Sequence, residues 1–538
     1  MKRILVTEPV AQEGLDFLRN EGMAVEERFN LRHDELKRII GEYDAIITRS
    51  GTKITKDILE NPGKLRVIGR AGVGLDSVDV EEASKRGIIV INAPGGNSVA
   101  ACELTMAMIL NAARKIPEAH YSLKYNRKWE RKKFMGVEIQ GKILGIVGLG
   151  NVGSAVAKRA KAFGMTVKAY DPYIKKSKAA NLGVELVETL DELLKISDII
   201  TFHTPLTRET YNMIRKEQIA KLKDGAILIN CARGGIINEN DLFEALKSGK
   251  VAACGIDTFG NEPATNNPLL DIDNVYVTPH IGANSEESQV NVSLIVSKEI
   301  ANVLSNRPYK NAVNIPFMKE FMSTSQKAYF ELCEKMGFLM AQLIEGRPKE
   351  LQVTMVGKFF EEDIVTKAFD VPFNYQPYTV AAIKGFLKNS MKEDVTYMGA
   401  PYFAKDNGIV VSEAKAENYG NYNNLIILKV STDREAKMVG ATVYEDGSRK
   451  IVFIDDFKTD IVPQGFYLYI INDDKPGIIG KIGILLGDRG INIAGFHLSR
   501  QRGGFAMSFV QLDDPIGDDL LNELESIDNI IVVKPIKF

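Results

Sequence analysis

The sequence predicts an α/β protein: two doubly wound, Rossmann-like parallel-sheet domains, then an α+β domain, then a ferredoxin-like βαββαβ domain at the C-terminal end. Three observations carry this. The 538 residues are too many for one hydrophobic core. Short, wholly apolar runs alternate with amphipathic stretches in two successive blocks within residues 1–315, the pattern of strands buried on both faces beneath helices. From residue 465 onward the strand and helix patterns follow the order β, α, β, β, α, β.

In chain order, residues 1–97 hold the strand-like runs RILVTE, AIITRS, VIGRAG and IIVINAP, with QEGLDFLRNEG and RHDELKRIIGEY as intervening helices. After GGNS, the apolar stretch VAACELTMAMILNAARKI reads as a long helix capped by Asn97 or Ser98 and crossing into the next domain. Over 98–285 the alternation restarts with ILGIVG, TVKAYD, DIITFH, GAILINC, AACGID and NVYVTPH. EESQVNVSLIVSKEIANVL is a second long helix, expected to return the chain to the first domain, so that 286–315 joins 1–97. Residues 316–464 mix helices with strands such as GIVVSEA and NLIILKVS. The last domain, 465–538, runs from FYLYII to NIIVVKPI.

Hydrophobic content of 45% and charged content of 26% are those of an ordinary soluble protein. A net charge of −2 gives no electrostatic ground for nucleic acid or an acidic membrane as partner. MKRILVTEPV reads as a strand rather than a signal peptide, and no apolar run is long enough to span a bilayer, so the expected location is the cytoplasm. Cys102, Cys231, Cys254 and Cys333 lie far apart without a CxxC spacing, which fits reduced thiols and no metal site.

GLGNVG places Gly148, Gly150 and Gly153 between an apolar strand and the helical SAVAKRAKAFG. There, the first glycine permits a tight turn, the second lets the backbone approach a pyrophosphate, and the third lets helix pack on strand. The free N–H groups of the helix end then face the phosphates. Asp171 follows the next strand, where a carboxylate accepts hydrogen bonds from ribose hydroxyls and repels a 2′-phosphate. Together these favour NAD over NADP.

Arg233, Glu262 and His280 each follow an apolar strand of this unit, the rim where open α/β sheets collect ligands. Either a strand-end histidine or a Glu-Pro pair, alone, fits a plain cap or loop; the three in order fit hydride transfer. Oxidising a 2-hydroxy acid removes a hydroxyl proton, which a histidine can accept. A neighbouring carboxylate fixes its tautomer and stabilises the imidazolium, and a guanidinium holds the substrate carboxylate in a rigid fork.

GLGNVG, HTPLT, NCARGGIIN, GIDTFGNEP and TPHIGA resemble the D-isomer-specific 2-hydroxyacid dehydrogenase family, over roughly residues 1–315. The resemblance implies Arg233, Glu262 and His280 as the catalytic set. It implies cofactor contacts from Val73, Asn151, Val152, Thr204, Cys231, Ala232, Asp257 and Gly282, beside the glycines and Asp171. RSGTKIT, GRAGVGLDSVD, NAPGGNS and WERKKF are similar to members that oxidise D-3-phosphoglycerate to 3-phosphohydroxypyruvate, the entry to serine synthesis. That implies Arg49, Lys53, Gly72, Val73, Asn97 and Arg131 as substrate-binding residues, with Arg131 reaching a neighbouring subunit's site in a homo-oligomer, a dimer or tetramer. Two departures are visible: Asn261-Glu262 replaces an acidic doublet, and Gly51 stands where some relatives carry a second basic residue. The alternatives are a glycerate, glyoxylate or hydroxypyruvate reductase and, in another class, an NAD-sensing corepressor-type protein.

DDKPGIIGKIGILLGDRGINIAGF resembles an ACT domain, an amino-acid-sensing module. The resemblance implies feedback inhibition by L-serine. Asp474, in the loop before a helix whose first turn would hold Pro476, would receive the amino group, and Asn492, opening the next strand, would offer a donor and an acceptor to the same ligand.

Overall fold

The structure, a computed structural model, describes the chain except for residues 316, 318–321, 362–372, 374, 389–394 and 501–503. Residue 316, where the sequence places the start of the third domain, thus lies outside the described residues.

The first sheet contains β1 (Arg3–Val6), β2 (Ala24–Glu27), β3 (Ala45–Thr48), β4 (Val67–Arg70) and β5 (Ile89–Ile91), all parallel, in the order β2-β1-β3-β4-β5. β2 is absent from the sequence reading because AVEE is a largely uncovered edge strand with no apolar run to betray it. The helix Glu286–Leu304, capped by Ser285, lies on this sheet. Val296 and Ile300 fill the space over Gly69, where a Cβ would come within 2.6 Å of either side chain. Beyond it Ala312 bridges Ile91, and the buried Asn314 accepts from the Val90 amide and donates to Ser84 Oγ and the Ile88 carbonyl.

The second sheet contains β6 (Ile143–Val147), β7 (Thr166–Tyr170), β8 (Glu185–Leu186), β9 (Ile199–Phe202), β10 (Ala226–Asn230), β11 (Val251–Ile256) and β12 (Val275–Val277). All are parallel, in the order β12-β11-β10-β9-β6-β7-β8. The chain moves outward from β6 on one side and crosses to β9 on the other, so a crevice opens beyond the carboxyl ends of β6 and β9. The two-residue β8 is too short for any periodicity to reveal. The helix Ser98–Arg114 packs on this sheet through Gly255, where a Cβ would lie 2.9 Å from Met108. Asn97 occupies its N-cap position but makes no side-chain cap bond. The helix stops at Lys115, whose φ is 53°, and a separate helix, Ile116–Lys124, follows with Pro117 in its first turn.

The third sheet contains β13 (Pro348–Val356), β14 (Val410–Ala416), β15 (Leu425–Thr432), β16 (Ala436–Val443), β17 (Arg449–Ile454) and β18 (Phe457–Ile461), in the order β14-β13-β15-β16-β17-β18. β14 runs parallel to β13 and the other pairs are antiparallel. The helices Thr324–Leu343 and Pro377–Leu387 touch backbone to backbone: a Cβ on Gly337 would lie 2.0 Å from the Ala382 carbonyl oxygen, and one on Gly385 1.9 Å from that of Glu334.

The last sheet contains β19 (Phe466–Asp473), β20 (Ile493–Arg500), β21 (Phe505–Leu512) and β22 (Ile530–Lys537), antiparallel, in the order β20-β21-β19-β22. The helices Ile478–Asp488 and Asp518–Glu525 cover the face bearing Leu468, Ile470, Val510 and Val533. The opposite face, with Tyr467, Tyr469, Met507, Phe509 and Ile536, joins the core of the third sheet, so both faces are buried. Pro476 is not in the first helical turn; Gly477, with φ 92°, is the N-cap and Pro476 stands in the turn before it.

Among the described residues no helix is long and apolar enough to cross a membrane, and no group of three or more His, Cys, Asp or Glu side chains could hold a metal ion. The four cysteines are free and buried.

Candidate active site

β10 ends in the turn NCARGG, and the buried Asn230 shapes it. Its side chain accepts from the Ala232 amide at 3.1 Å and donates to the Arg233 carbonyl at 2.9 Å. Gly234 then passes so close to the next loop that a Cβ would lie 1.9 Å from the Phe259 carbonyl oxygen. The turn aims the Arg233 guanidinium at the first unit. It lies over Gly74, where a Cβ would be 2.4 Å from Nη2, and its Nε is 3.4 Å from Asp76 Oδ2.

His280 follows β12 with φ 54°, a left-handed conformation uncommon outside glycine. Asp257, fully buried at the end of β11, holds it there. Its Oδ1 accepts from Thr278 Oγ1 at 2.5 Å and the Ile281 amide at 2.7 Å, and its Oδ2 from the Gly282 amide at 2.9 Å. Burial pushes the Asp257 carboxyl up, and these bonds work the other way. A Cβ on Gly282 would come within 3.0 Å of Oδ2. His280 Nδ1 lies 2.9 Å from Glu262 Oε2 and 3.1 Å from Oε1, while Oε1 also accepts from the Phe259 amide. A carboxylate can only accept, so Nδ1 carries the hydrogen and Nε2 presents its lone pair.

Across the cleft, the loop after β4 brings a residue that the sequence analysis does not single out. Arg70 ends β4, and its guanidinium packs over Gly72, where a Cβ would lie 1.4 Å from Nη1. Gly72 is thus the seat of a guanidinium. Burial, then the like charges of Arg233 and Arg49, push Arg70 down to about 10, leaving it a cation at neutral pH. Its Nε is buried without a hydrogen-bond partner. Val73 is held by Asn92, whose amide donates to its carbonyl at 2.8 Å. Arg49 follows β3, with Nη1 3.4 Å from the Pro9 carbonyl. Lys53 is exposed, and Asn97 is partly covered at its helix end. Arg70 therefore feels the like charges of Arg233 and Arg49, with Asp76 and Glu8 as its nearby carboxylates.

The glycine turn after β6 fits a dinucleotide. A Cβ on Gly153 would lie 2.1 Å from the Gly148 carbonyl oxygen, and one on Gly148 (φ 90°) 2.6 Å from that of His203, so both must be glycine. Gly150, the N-cap of the helix Asn151–Ala162, has open space where its Cβ would point, at the end where the helix presents its free N–H groups. Thr204 Oγ1 is buried without a partner. Asn151 reaches toward the first unit, its Nδ2 3.7 Å from where a Gly95 Cβ would be; Val152 is partly covered behind it. Asp171 accepts from the Leu149 amide at 2.8 Å and the Tyr173 amide at 2.9 Å, one oxygen each, and keeps a lone pair on both. Burial raises the Cys231 thiol to about 12, so Cys231 and Ala232 offer backbone rather than reactive side chains. His203 is held neutral, burial driving it to about 3.

Arg131 is exposed, apart from this cluster, on the arm after the helix Ile116–Lys124. The two tail residues are not brought together within one chain. Asp474 sits at the end of the sheet where Arg500 closes β20, with Nη1 3.8 Å from Oδ1, while Asn492 precedes the start of β20. Eight residues of strand, roughly 25 Å, separate them. Asn492 also donates to Asp513 Oδ2 at 2.7 Å, which leaves its carbonyl oxygen free on the side chain.

Family models match the chain in three stretches: the NAD binding domain of D-isomer specific 2-hydroxyacid dehydrogenases over residues 106–282, the D-3-phosphoglycerate dehydrogenase intervening domain over 325–455, and the ACT domain over 466–529. D-3-phosphoglycerate dehydrogenase of Archaeoglobus fulgidus is 40% identical over 533 residues, 98% of each chain. The chain belongs to the D-3-phosphoglycerate dehydrogenase family. The Bacillus subtilis enzyme of that name is 39% identical over 539 residues, 99% of each chain. Among solved structures, a protein of Thermus thermophilus aligns with TM-score 0.54 and 35% identity, over 58% of this chain and 99% of that one. A glyoxylate reductase aligns with TM-score 0.54 at 27% identity, over 58% of this chain and 98% of that one. The likeness to smaller reductases thus covers part of the chain, whereas that to family members covers nearly all of it.

Proposed function

We propose that the protein oxidises D-3-phosphoglycerate to 3-phosphohydroxypyruvate with NAD in the cytoplasm, as the first step of L-serine synthesis. The observation that carries this reading is the pair of guanidiniums over neighbouring glycines, Arg70 over Gly72 and Arg233 over Gly74, with Arg49 near enough to act on Arg70. One guanidinium suffices for the carboxylate of a 2-hydroxy acid. Two more match a phosphate, which adds nearly two negative charges. A glycerate or glyoxylate reductase has no use for that excess, and the ACT domain over residues 466–529 suits an enzyme under amino-acid control better than a corepressor.

Arg233 anchors the carboxylate and the oxygen on which charge changes. His280 Nε2 takes the hydroxyl proton, and the Glu262 carboxylate stabilises the imidazolium through Nδ1–H. NAD, when bound at the Gly148–Gly153 turn, would supply the acceptor for a hydride from C2. Proton and hydride together account for the two electrons lost by the alcohol. Asp171 orients the adenosine ribose and disfavours a 2′-phosphate.

We further propose four domains: 1–97 with 286–315 for substrate, 98–285 for NAD, 316–464 as a regulatory anion-binding domain and 465–538 for serine. A homo-oligomer is supported by the arm after the helix Ile116–Lys124. There Tyr125, Trp129 and Met135 are exposed, the last two by 76% and 75%, beside Arg131, Lys132 and Lys133. A partner seated on that arm would receive Arg131. The test is NADH formation from D-3-phosphoglycerate, D-glycerate and malate under identical conditions, with the product identified. Turnover of phosphoglycerate no better than that of malate would refute the reading.

A further inference from the structure

A single carboxylate organises the loop that carries Arg49. Glu8, in the TEPV turn after β1, accepts from the Arg49 amide at 2.8 Å, the Thr52 amide at 2.8 Å and Thr48 Oγ1 at 3.2 Å through Oε1. Oε2 accepts from the Gly51 amide at 3.0 Å. Pro9, the next residue, meets the Arg49 guanidinium through its carbonyl, and Ser77 Oγ donates to the Arg49 carbonyl at 3.0 Å. Gly51 is part of the same device, because a Cβ there would lie 2.8 Å from Glu8 Oε2. Burial works against the charge of Glu8, and the amides of Arg49, Thr52 and Gly51 outweigh it, so the carboxyl lies below its usual range. A loop of four residues has no helix or strand to stiffen it; here four donors converge on one anion.

We propose that Glu8 is a positioning residue for recognition of the substrate's phosphate. It fixes the loop 49–52 so that the Arg49 guanidinium stands in the cleft before substrate arrives, and its charge offsets part of the repulsion that Arg70 feels from Arg49 and Arg233. Gly51 leaves this carboxylate room to approach its amide. The inference rests on the reading of the substrate as phosphoglycerate.

The experiment compares kcat/KM for D-3-phosphoglycerate and for D-glycerate in the wild type, Glu8→Gln, Gly51→Ala and the double variant. In Glu8→Gln an amide N–H faces a backbone N–H, and in Gly51→Ala the methyl displaces the carboxylate. Each single change lowers the phosphoglycerate-to-glycerate ratio about tenfold, chiefly through the KM for phosphoglycerate, with the KM for NAD unmoved. The double variant is no worse than either single one, because both break the same contact. Equal losses on both substrates, or additive losses in the double variant, would overturn the proposal. So would failure of Glu8→Gln to fold together with an unchanged ratio in Gly51→Ala. A wild type indifferent to the phosphate would instead sink the substrate reading.

Discussion

His280 and Arg70 show what single residues contribute. His280 holds a left-handed backbone conformation uncommon outside glycine, and Asp257 secures it from both sides through Thr278, Ile281 and Gly282. His280→Ala is expected to lower kcat by about 10²- to 10⁴-fold while leaving the KM for NAD in place, as loss of a general base does. Steady-state kinetics on folded protein checks this. Arg70 contributes at a cost to stability. Its pKa is pushed down to about 10 from 12.5, so the folded state binds the proton less well than the unfolded chain does. For a cation this means that the penalty is fully present at neutral pH and is relieved as pH rises from 10 toward 12.5. Arg70→Leu is therefore expected to raise the ligand-free unfolding midpoint, by on the order of 1 kcal/mol in stability, while weakening phosphoglycerate binding severely. Denaturant titration without substrate, beside the KM, checks both halves. A lower midpoint would mean that Arg70 holds the fold rather than the ligand.

At the scale of elements, a recurring device is a buried parallel strand that ends in a cation followed by glycines. β10 with Arg233 is legible because NCARGG interrupts an apolar run; β4 with Arg70 has the same form in VIGRAGVG and escapes notice. The informative signal is the pair of glycines at 72 and 74, each the seat of a guanidinium, and sequence spacing does not say which side chain folds back over a glycine. The two parallel sheets are legible from their apolar runs, except β2 and β8, which are short edge strands, whereas of the third sheet only β14 and β15 are read, because β13, β16, β17 and β18 mix polar with apolar residues. Glu8 is illegible because its partners are backbone amides some forty residues on. Asp171 reads from the sequence as a ribose ligand, and the structure adds that it ties the glycine turn to the end of β7 through Leu149. Asp171→Ala should therefore do two things: erode the preference for NAD over NADP, and raise the KM for NAD by loosening the turn. Asp171→Asn, which keeps a hydrogen-bond acceptor, should show the first effect with less of the second. Kinetics with both cofactors separates them.

For the whole molecule, the tail is not an appendage, because one face of its sheet completes the core of the third sheet. The helix and loop that flank that third sheet in turn meet the first unit: Asp406 pairs with Lys85, and Thr396 donates to the Ser84 carbonyl, on the helix just after the loop of Arg70 and Asp76. A ligand on the tail can thus bias the cleft through packed elements, provided it favours one arrangement over another. Asp474 and Asn492 lie at opposite ends of β20, so a serine site using both requires two tails paired antiparallel along that edge strand. The expected outcome is inhibition by millimolar L-serine that is lost in Asp474→Ala and in Asn492→Ala alike, with binding that fails once the oligomer is diluted to monomers. Calorimetry and sedimentation on the full chain check this, and inhibition surviving both substitutions would place the site elsewhere. The central claim is that three guanidiniums read a phosphate beside a hydride-transfer base. Its most direct test is kcat/KM for D-3-phosphoglycerate and D-glycerate in the wild type and in Arg49→Ala. The account predicts a wild-type preference for the phosphorylated substrate of about 10²-fold or more, falling by at least about tenfold in the variant while glycerate turnover holds; equal use of the two substrates by the wild type, or an equal loss on both in Arg49→Ala, would contradict it.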